Sequence, residues 1–535
     1  MTLPLYPYQE EPVDRFLERD SLLVAYEMGL GKTPIAIACA EELFGENEID
    51  TCMIVVPASL KYQWAQRIGE FTDIPMVKVR KSGSFIDLPD NKYVELIDGP
   101  PLVRKGQYDH ILESGVQYVI LGYENVVNDW KYVKQIDPDF VVLDEATAIK
   151  TFKAKRTKKV KQLKPPFRLA LTGTPIENRP EELYSIMQWV DDSVLGRYDL
   201  FDRSYVVRNG FGGVVRYKNL PVLHKRLSVA MSRRNRLDPN VRPYLPEVEF
   251  ATWDVELTPQ VKKLYNEIAL DLLGDLQSAG FNESFDLEKH YNGGEINENT
   301  EMGKIMAKQT ALEMLLDHPE LLVKSATDYN DRKSRTGSKY AADLQAAGKL
   351  EGLGSSNKLD LLIDEVEDIL GFNPDNKVII FTKYRRMVDI IRNSLNCESL
   401  EYHGGMDAGA KAGTVAKFEG DYRVLVSSHA GSYGTDLKMA NYLINFDLPW
   451  SSGKADQING RHQRAASEFD QVYVVDMITA GTIEERKHRM LALKRKIGSA
   501  ILDNDGADES GRIENDLGSL TSALEDGIVQ TFEEE

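Results

Sequence analysis

The run Glu27-Met28-Gly29-Leu30-Gly31-Lys32-Thr33 has the composition of a phosphate cradle. Glycines let the backbone curl until several N–H groups point inward at phosphate oxygens. A helix starting there adds its partial positive charge, and the lysine reaches the outer phosphates of a triphosphate. Thr33 stands where a hydroxyl can ligate magnesium, and Pro34 suits a first helical turn, where its missing N–H breaks no bond. The apolar run Leu22 to Tyr26 precedes the loop and the helical pattern Ile35 to Phe44 follows it, the strand, loop and helix order this chemistry needs.

Further along, the apolar run Phe140 to Leu143 ends in Asp144-Glu145. In a parallel sheet that ending lies beside the loop, so Asp144 can hold magnesium through water and Glu145 can orient or deprotonate an attacking water. Alone, such a pair also suits a solvent-facing loop; beside a phosphate cradle it reads as the second part of a triphosphate-hydrolysing centre. Charge develops on the leaving phosphate in such a reaction, and an inserted arginine stabilises it. The later segment Gln457-Ile-Asn-Gly460-Arg461-His-Gln-Arg464 offers one, with Gln457, Arg461 and Arg464 on one face if the segment is helical.

The elements that must position these groups fall into two halves. Up to about residue 190, apolar runs alternate with helical patterns: Leu22 to Tyr26, Met53 to Val56, Val119 to Leu121, Phe140 to Leu143 and Leu169 to Leu171. Runs this apolar predict strands buried on both faces of a parallel sheet. The rhythm returns after Asn357 with Val378 to Phe381, Val424 to Val426, Tyr442 to Phe446 and Val472 to Val475. The expected organisation is an N-terminal α/β lobe over 1–190, a mostly helical insertion over 191–355, a C-terminal lobe over 356–480, a basic helix over 481–502 and an unstructured acidic tail over 503–535. Within the insertion, the polar stretches Asn282 to Gly303 and Ala326 to Gly354 are expected to be mobile loops.

Bulk composition agrees with a multidomain chain: 535 residues exceed what one core usually supports, so more than one domain is expected. The first residues lack the pattern of a secretory leader and no stretch is apolar for long enough to span a bilayer, so a cytoplasmic location is expected. Cys39, Cys52 and Cys397 lie far apart, which argues against zinc modules and disulfide scaffolding. The net charge of -19 argues against indiscriminate coating of nucleic acid. The imbalance is uneven, however. Asp503 to Glu535 holds eleven acids against the single base Arg512, whereas cations cluster in Lys150 to Lys164 and Arg486 to Lys496. Those runs could follow a phosphate backbone or simply be solvated. The sign change near residue 500 admits two readings, a tail that competes with nucleic acid for the basic helix and a solvated, idle tail, of which the second is the more common.

In order along the chain, these motifs resemble helicase superfamily two, and within it the Swi/Snf-type double-stranded DNA translocases. Tyr6-Pro-Tyr8-Gln9 is similar to that family's adenine-reading segment, Val55-Val-Pro57-Ala-Ser59-Leu-Lys61-Tyr-Gln-Trp64 to its first DNA-contacting motif, and Leu171-Thr172-Gly173-Thr174-Pro175 to the motif coupling hydrolysis to DNA. Arg233-Arg234, Leu257-Thr-Pro-Gln260 and Asp317-His318-Pro319 resemble its helical protrusions, Ser427-Ser428-His429 through Gly434-Thr-Asp436 a motif touching DNA and nucleotide, and Gly481-Thr-Ile-Glu-Glu485-Arg486 its closing brace. Tyr26, Thr147, Gly460 and Ala465-Ala-Ser467 depart from the pattern, marking a divergent, minimal branch.

The resemblance implies two RecA-like lobes with parallel sheets, closing on ATP and Mg2+. It implies nucleotide contacts from Gln9, Met28, Gly29, Leu30, Gly31, Lys32, Thr33, Gly434 and Asp436, and metal contacts from Thr33 and Asp144. Ser59, Lys61, Thr172, Lys383, Ser428 and His429 would touch the phosphate backbone of duplex DNA without reading sequence, and the protein would act as a monomer. A strand-separating helicase and a nucleotide-gated DNA-binding switch are the alternatives.

Overall fold

The computed structural model describes residues 4–81, 84–210, 213–278, 298–331, 336–406, 408–429, 437–464, 467–505 and 513–514. Two parallel sheets organise them. In the first, strands lie in the order Met231–Arg234, Ser21–Tyr26, Phe167–Leu171, Phe140–Leu143, Cys52–Val56, Tyr118–Gly122 and Val94–Leu96, every neighbouring pair parallel. The second runs Glu247–Val255, Gln471–Thr479, Tyr442–Asn445, Val378–Thr382, Val424–Ser428 and Ser399–Tyr402, again all parallel.

Side chains alternate between the two faces of a strand, so a strand buried on both faces must be apolar throughout. Along Ser21–Tyr26, Leu23 and Ala25 enter one core while Leu22, Val24 and Tyr26 enter the other. Along Val378–Thr382, Val378 and Ile380 face one cluster and Ile379 and Phe381 the opposite one. The molecule is therefore α/β, with two parallel-sheet lobes as the apolar runs predict, and they are RecA-like as the resemblance implies.

The stretch 191–355 does more than insert helices. Met231–Arg234 completes the edge of the first sheet and Glu247–Val255 the edge of the second. Neither announces itself in sequence: Met231–Arg234 holds two arginines, and most of Glu247–Val255 is exposed or partly exposed. The helices Pro259–Ser278, Glu301–Asp317, Pro319–Asn330 and Lys339–Ala346 pack into a separate core. Much of the supposed second loop is thus ordered, with Lys339–Ala346 capped by the Ser338 hydroxyl, which accepts from Ala341 N. Of the first expected loop, Asn282 to Gly303, residues 282–297 lie outside the described residues, and its end enters the Glu301–Asp317 helix.

The Ile483–Leu502 helix ties these bodies together. Ile483 packs in the helical core, Leu491 joins Leu448, Ala455 and Ile478, and Ile497, Ala500, Ile501 and Leu502 enter the core of the first lobe. Beyond it, Ile513–Glu514 pairs antiparallel with Val214–Tyr217, a hairpin strand of the first lobe. Among the described residues no helix is long and apolar enough to cross a membrane.

Candidate active site

The phosphate loop leaves the fully buried Ser21–Tyr26 strand and enters the Lys32–Gly45 helix. Gly29 and Gly31 have φ of 85° and 69°, a region that side-chain-bearing residues rarely adopt. Space forbids substitution as well. A Cβ on Gly29 would lie 2.4 Å from the Gln463 carbonyl, and one on Gly31 would lie 2.2 Å from Gln9 Nε2. The loop is boxed between the N-terminal helix and the second lobe.

Met28 and Leu30 anchor the loop by burial. Gln9 Nε2 donates to the carbonyls of Leu30 (3.2 Å) and Gly31 (3.1 Å), while its Oε1 accepts from Tyr6 N at 2.9 Å. Gln9 is thus a strut beneath the loop. Lys32 Nζ donates to the carbonyls of Tyr26 (2.9 Å) and Glu27 (3.2 Å). Burial pushes its pKa down to about 8, against the opposing charges of Glu145 and Asp144. Thr33 follows in the first helical turn.

Asp144 and Glu145 emerge from Phe140–Leu143 beside this loop. Asp144 is buried; its Oδ2 accepts from Trp64 Nε1 at 2.7 Å, its Oδ1 from Glu145 N at 2.9 Å, and its carbonyl from Tyr123 OH at 2.8 Å. Glu145 has φ of 48°, a strained conformation for a residue with a Cβ, which costs about 1–3 kcal/mol and clusters at functional sites. Burial, then the neighbouring Asp144 charge, pushes the Glu145 carboxyl up to about 7. Burial also raises Asp144.

The second lobe closes on this pair. Gln457 Nε2 donates to Glu145 Oε2 at 3.3 Å across the cleft. The expected single helical face is not formed, because the helix Ser452–Asn459 ends before the arginines. Arg461 and Arg464 come from the turn that follows, where Gly460 packs so tightly on Met28 that a Cβ there would lie 2.5 Å from it. Both arginines still reach the centre. Arg461 is buried and its charge favours ionised Glu145, while Arg464 lies against Gly29 and opposes protonation of Lys32. Ser452 Oγ donates to the Glu177 carbonyl at 2.7 Å and Lys494 Nζ to Asn178 Oδ1 at 2.6 Å, further contacts between the two halves of the chain.

The residues matched to DNA contact fare differently. Ser59 is exposed on the short turn Ala58–Leu60. Lys61 is buried, donating to the Ile97 carbonyl at 2.8 Å and Asp98 Oδ1 at 2.7 Å. Thr172 is wholly buried, its hydroxyl accepting from Thr174 N, and Ser428 is also buried. Lys383 pairs with Glu313, which also accepts from Lys487 Nζ (3.1 Å) and Trp450 Nε1 (2.5 Å). Burial works against ionisation of Glu313, yet the two lysines hold its pKa well below the usual carboxylate range. His429 stands 3.6 Å from Asp447, its pKa lowered by burial. Gly434 and Asp436 lie outside the described residues.

Sequence reasoning missed Trp64 as a partner of Asp144, having assigned its segment to DNA, and missed the Glu313 hub entirely. Local pattern carries no signal for either, since each partner is more than 60 residues away.

One phosphate cradle in the first lobe, completed by a glutamine and arginines from a second lobe of like topology, defines a two-lobed nucleotide hydrolase. The family can be stated more closely. A model of the SNF2-related domain matches residues 8–321, and one of the helicase conserved C-terminal domain matches 357–466. The chain belongs to the SNF2-related family and is an enzyme of the ATP-dependent helicase type.

It is 26% identical to the Bacillus subtilis protein named uncharacterized ATP-dependent helicase YqhH, over 91% of this chain and 77% of that one. It is also 26% identical to the Schizosaccharomyces pombe TATA-binding protein-associated factor mot1, over 99% of this chain but only 28% of that one. Among solved structures, the Pyrococcus furiosus Hef helicase domain shares the fold at 18% identity and a TM-score of 0.51, covering 91% of this chain and 98% of that one. The Sulfolobus solfataricus SWI2/SNF2 ATPase core in complex with dsDNA is 24% identical with a TM-score of 0.41, covering 95% and 94%.

Proposed function

We propose that this chain hydrolyses ATP in the cleft between its lobes and uses the cycle to move along double-stranded DNA, as a monomer that grips the phosphate backbone without reading sequence. The hydrogen bond from Gln457 to Glu145 across the cleft carries the reading, because it joins groups from both lobes in one catalytic centre. A nucleotide that favours closure then does mechanical work as it turns over.

The chain's own groups have these roles. The loop from Met28 to Gly31 cradles the phosphates, Lys32 exchanges its two carbonyl partners for phosphate oxygens, and Gln9 fixes the loop beneath the nucleotide. Thr33 and Asp144 would hold magnesium, which neutralises phosphate charge when bound. One carboxylate and one hydroxyl suit this ion, which usually binds a protein through few groups and shares its shell with phosphates and water. Glu145, raised toward neutrality, takes the proton of the attacking water while Gln457 orients its carboxylate. Arg461 and Arg464 stabilise charge on the departing phosphate.

For DNA, Ser59 and the exposed Lys153, Lys155 and Lys158 offer sequence-independent phosphate contacts. The test compares ATPase rates with duplex DNA, single-stranded DNA and RNA, then follows displacement of a triplex strand. Duplex stimulation that grows with duplex length, together with triplex displacement, is expected. Length-independent rates without displacement would replace the motor with a switch.

A further inference from the structure

The phosphate loop is tied to a residue almost 500 positions away in sequence. Arg233, at the end of an edge strand of the first sheet, donates from Nη1 to the Ala25 carbonyl (3.0 Å) and from Nη2 to Glu27 Oε1 (3.1 Å). One guanidinium therefore clamps the end of the Ser21–Tyr26 strand and the first residue of the loop. The other Glu27 oxygen accepts from Arg236 N at 3.0 Å. The Glu27 carbonyl meanwhile receives Lys32, so this residue is a junction between loop, lysine and edge strand.

Arg233 is itself gripped by the end of the Ile483–Leu502 helix, whose last turn is seated in the first-lobe core. Its Nε and Nη2 donate to Asp503 Oδ1 (2.9 Å) and Oδ2 (3.2 Å), a two-pronged pair in which little of either side chain is exposed. Asn235 Nδ2 donates to the same carboxylate at 3.3 Å. Asp503 is the C-cap of the Ile483–Leu502 helix, where the helix dipole disfavours an anion. Its placement is accounted for by Arg233 and not by helix stability. Eight residues earlier, Arg495 Nε donates to Asp456 Oδ1 at 2.9 Å, beside Gln457. One helix thus touches the supports of both half-sites.

We infer that Asp503 is a positioning residue for the phosphate loop, acting through Arg233 and Glu27, and that Arg495 does the same for Gln457 through Asp456. The inference rests on the ATP-site reading above and deepens it. The two contacts have different kinetic signatures. Loop geometry governs binding of the ground-state triphosphate, whereas the Gln457 segment acts on the hydrolytic step.

In the full chain, Asp503→Ala is expected to raise KM for ATP about fivefold with kcat within about twofold of the parent, and Arg495→Ala to lower kcat about fivefold at unchanged KM. Asp503→Glu, which keeps the charge, restores KM. The affinity for ADP, measured by calorimetry, weakens in Asp503→Ala and not in Arg495→Ala. Unchanged KM and ADP affinity in Asp503→Ala overturn the inference, as does an equal loss of kcat in both variants. A parent protein without ATP turnover would sink the proposed function instead, and the ADP arm would still decide the Asp503 relay.

Discussion

The nucleotide cleft and the surface matched to DNA are built from equally recognisable segments, yet the structure treats them in opposite ways. In the cleft, Lys32, Asp144, Glu145, Gln457, Arg461 and Arg464 converge from both lobes. On the DNA side, Lys61 and Lys383 are spent on Asp98 and Glu313, and Thr172 and Ser428 are buried. Hydrolysis needs groups fixed and partly desolvated before the substrate arrives. Gripping a polyanion needs cations in water. A motif therefore places its residues near a task without saying which of them performs it.

The sharpest way to break this comparison is at the cleft. Arg464→Ala and Lys32→Ala are each expected to lower kcat for ATP about a thousandfold, the scale on which inserted arginines act in phosphoryl transfer. The assay is phosphate release at saturating ATP, and either variant retaining parental turnover would remove the composite centre. Gly29→Ala should be nearly as severe, since the new methyl meets the Gln463 carbonyl at a positive φ.

The pH dependence of kcat/KM comes next in size. Glu145 must be ionised to accept a proton, and with its carboxyl raised to about 7 the rate rises as pH climbs through that value. Lys32 must be protonated to hold phosphate, and with its pKa lowered to about 8 the rate falls above it. A narrow bell between these limbs is expected, and a profile flat from pH 6 to 9 would contradict both assignments.

How legible was this in the sequence? The apolar strands were, because burial on both faces leaves no room for polar residues, and so was the phosphate loop, whose glycines and lysine are contiguous. Edge strands were not. Met231–Arg234 can carry Arg233 because Glu27 and Asp503 pair with its guanidinium, partners that local sequence does not reveal, and Glu247–Val255 lies largely in the open. The arginine segment was found for its chemistry but given the wrong local form: helix propensity does not reveal that the chain turns at Gly460 to fit against Met28. Ion pairs such as Lys383 with Glu313 bridge 70 residues, a separation at which spacing carries no information.

A smaller effect sharpens the comparison on the DNA side. Replacing exposed Lys153, Lys155 and Lys158 with alanine should reduce the slope of log affinity against log salt by up to about one unit per contact, while leaving DNA-free ATPase untouched. Lys61→Ala should behave oppositely. It takes the cation from Asp98, which keeps its hydrogen bond from Tyr62 OH, and removes the donor from the Ile97 carbonyl, costing about 2 kcal/mol of stability with no change in salt slope. If Lys61 instead alters the slope and the surface lysines do not, the buried pair must open on DNA.

The smallest expected effect concerns the acidic tail. Its proposed competition with DNA required a free cationic helix, but Lys487 and Lys494 are buried and donate to Glu313, Leu448, Asn178 and Trp450. Between Arg486 and Lys496 only Arg489 and Lys496 are exposed cations, too few for a polyanion-binding face. Deleting residues 515–535, which spares Asp503 and the strand Ile513–Glu514, should therefore change DNA-stimulated ATPase at low salt by less than about twofold, as two exposed charges contribute little. A large rise would mean that the tail shields another surface, and the exposed lysines of the first lobe are the first place to look.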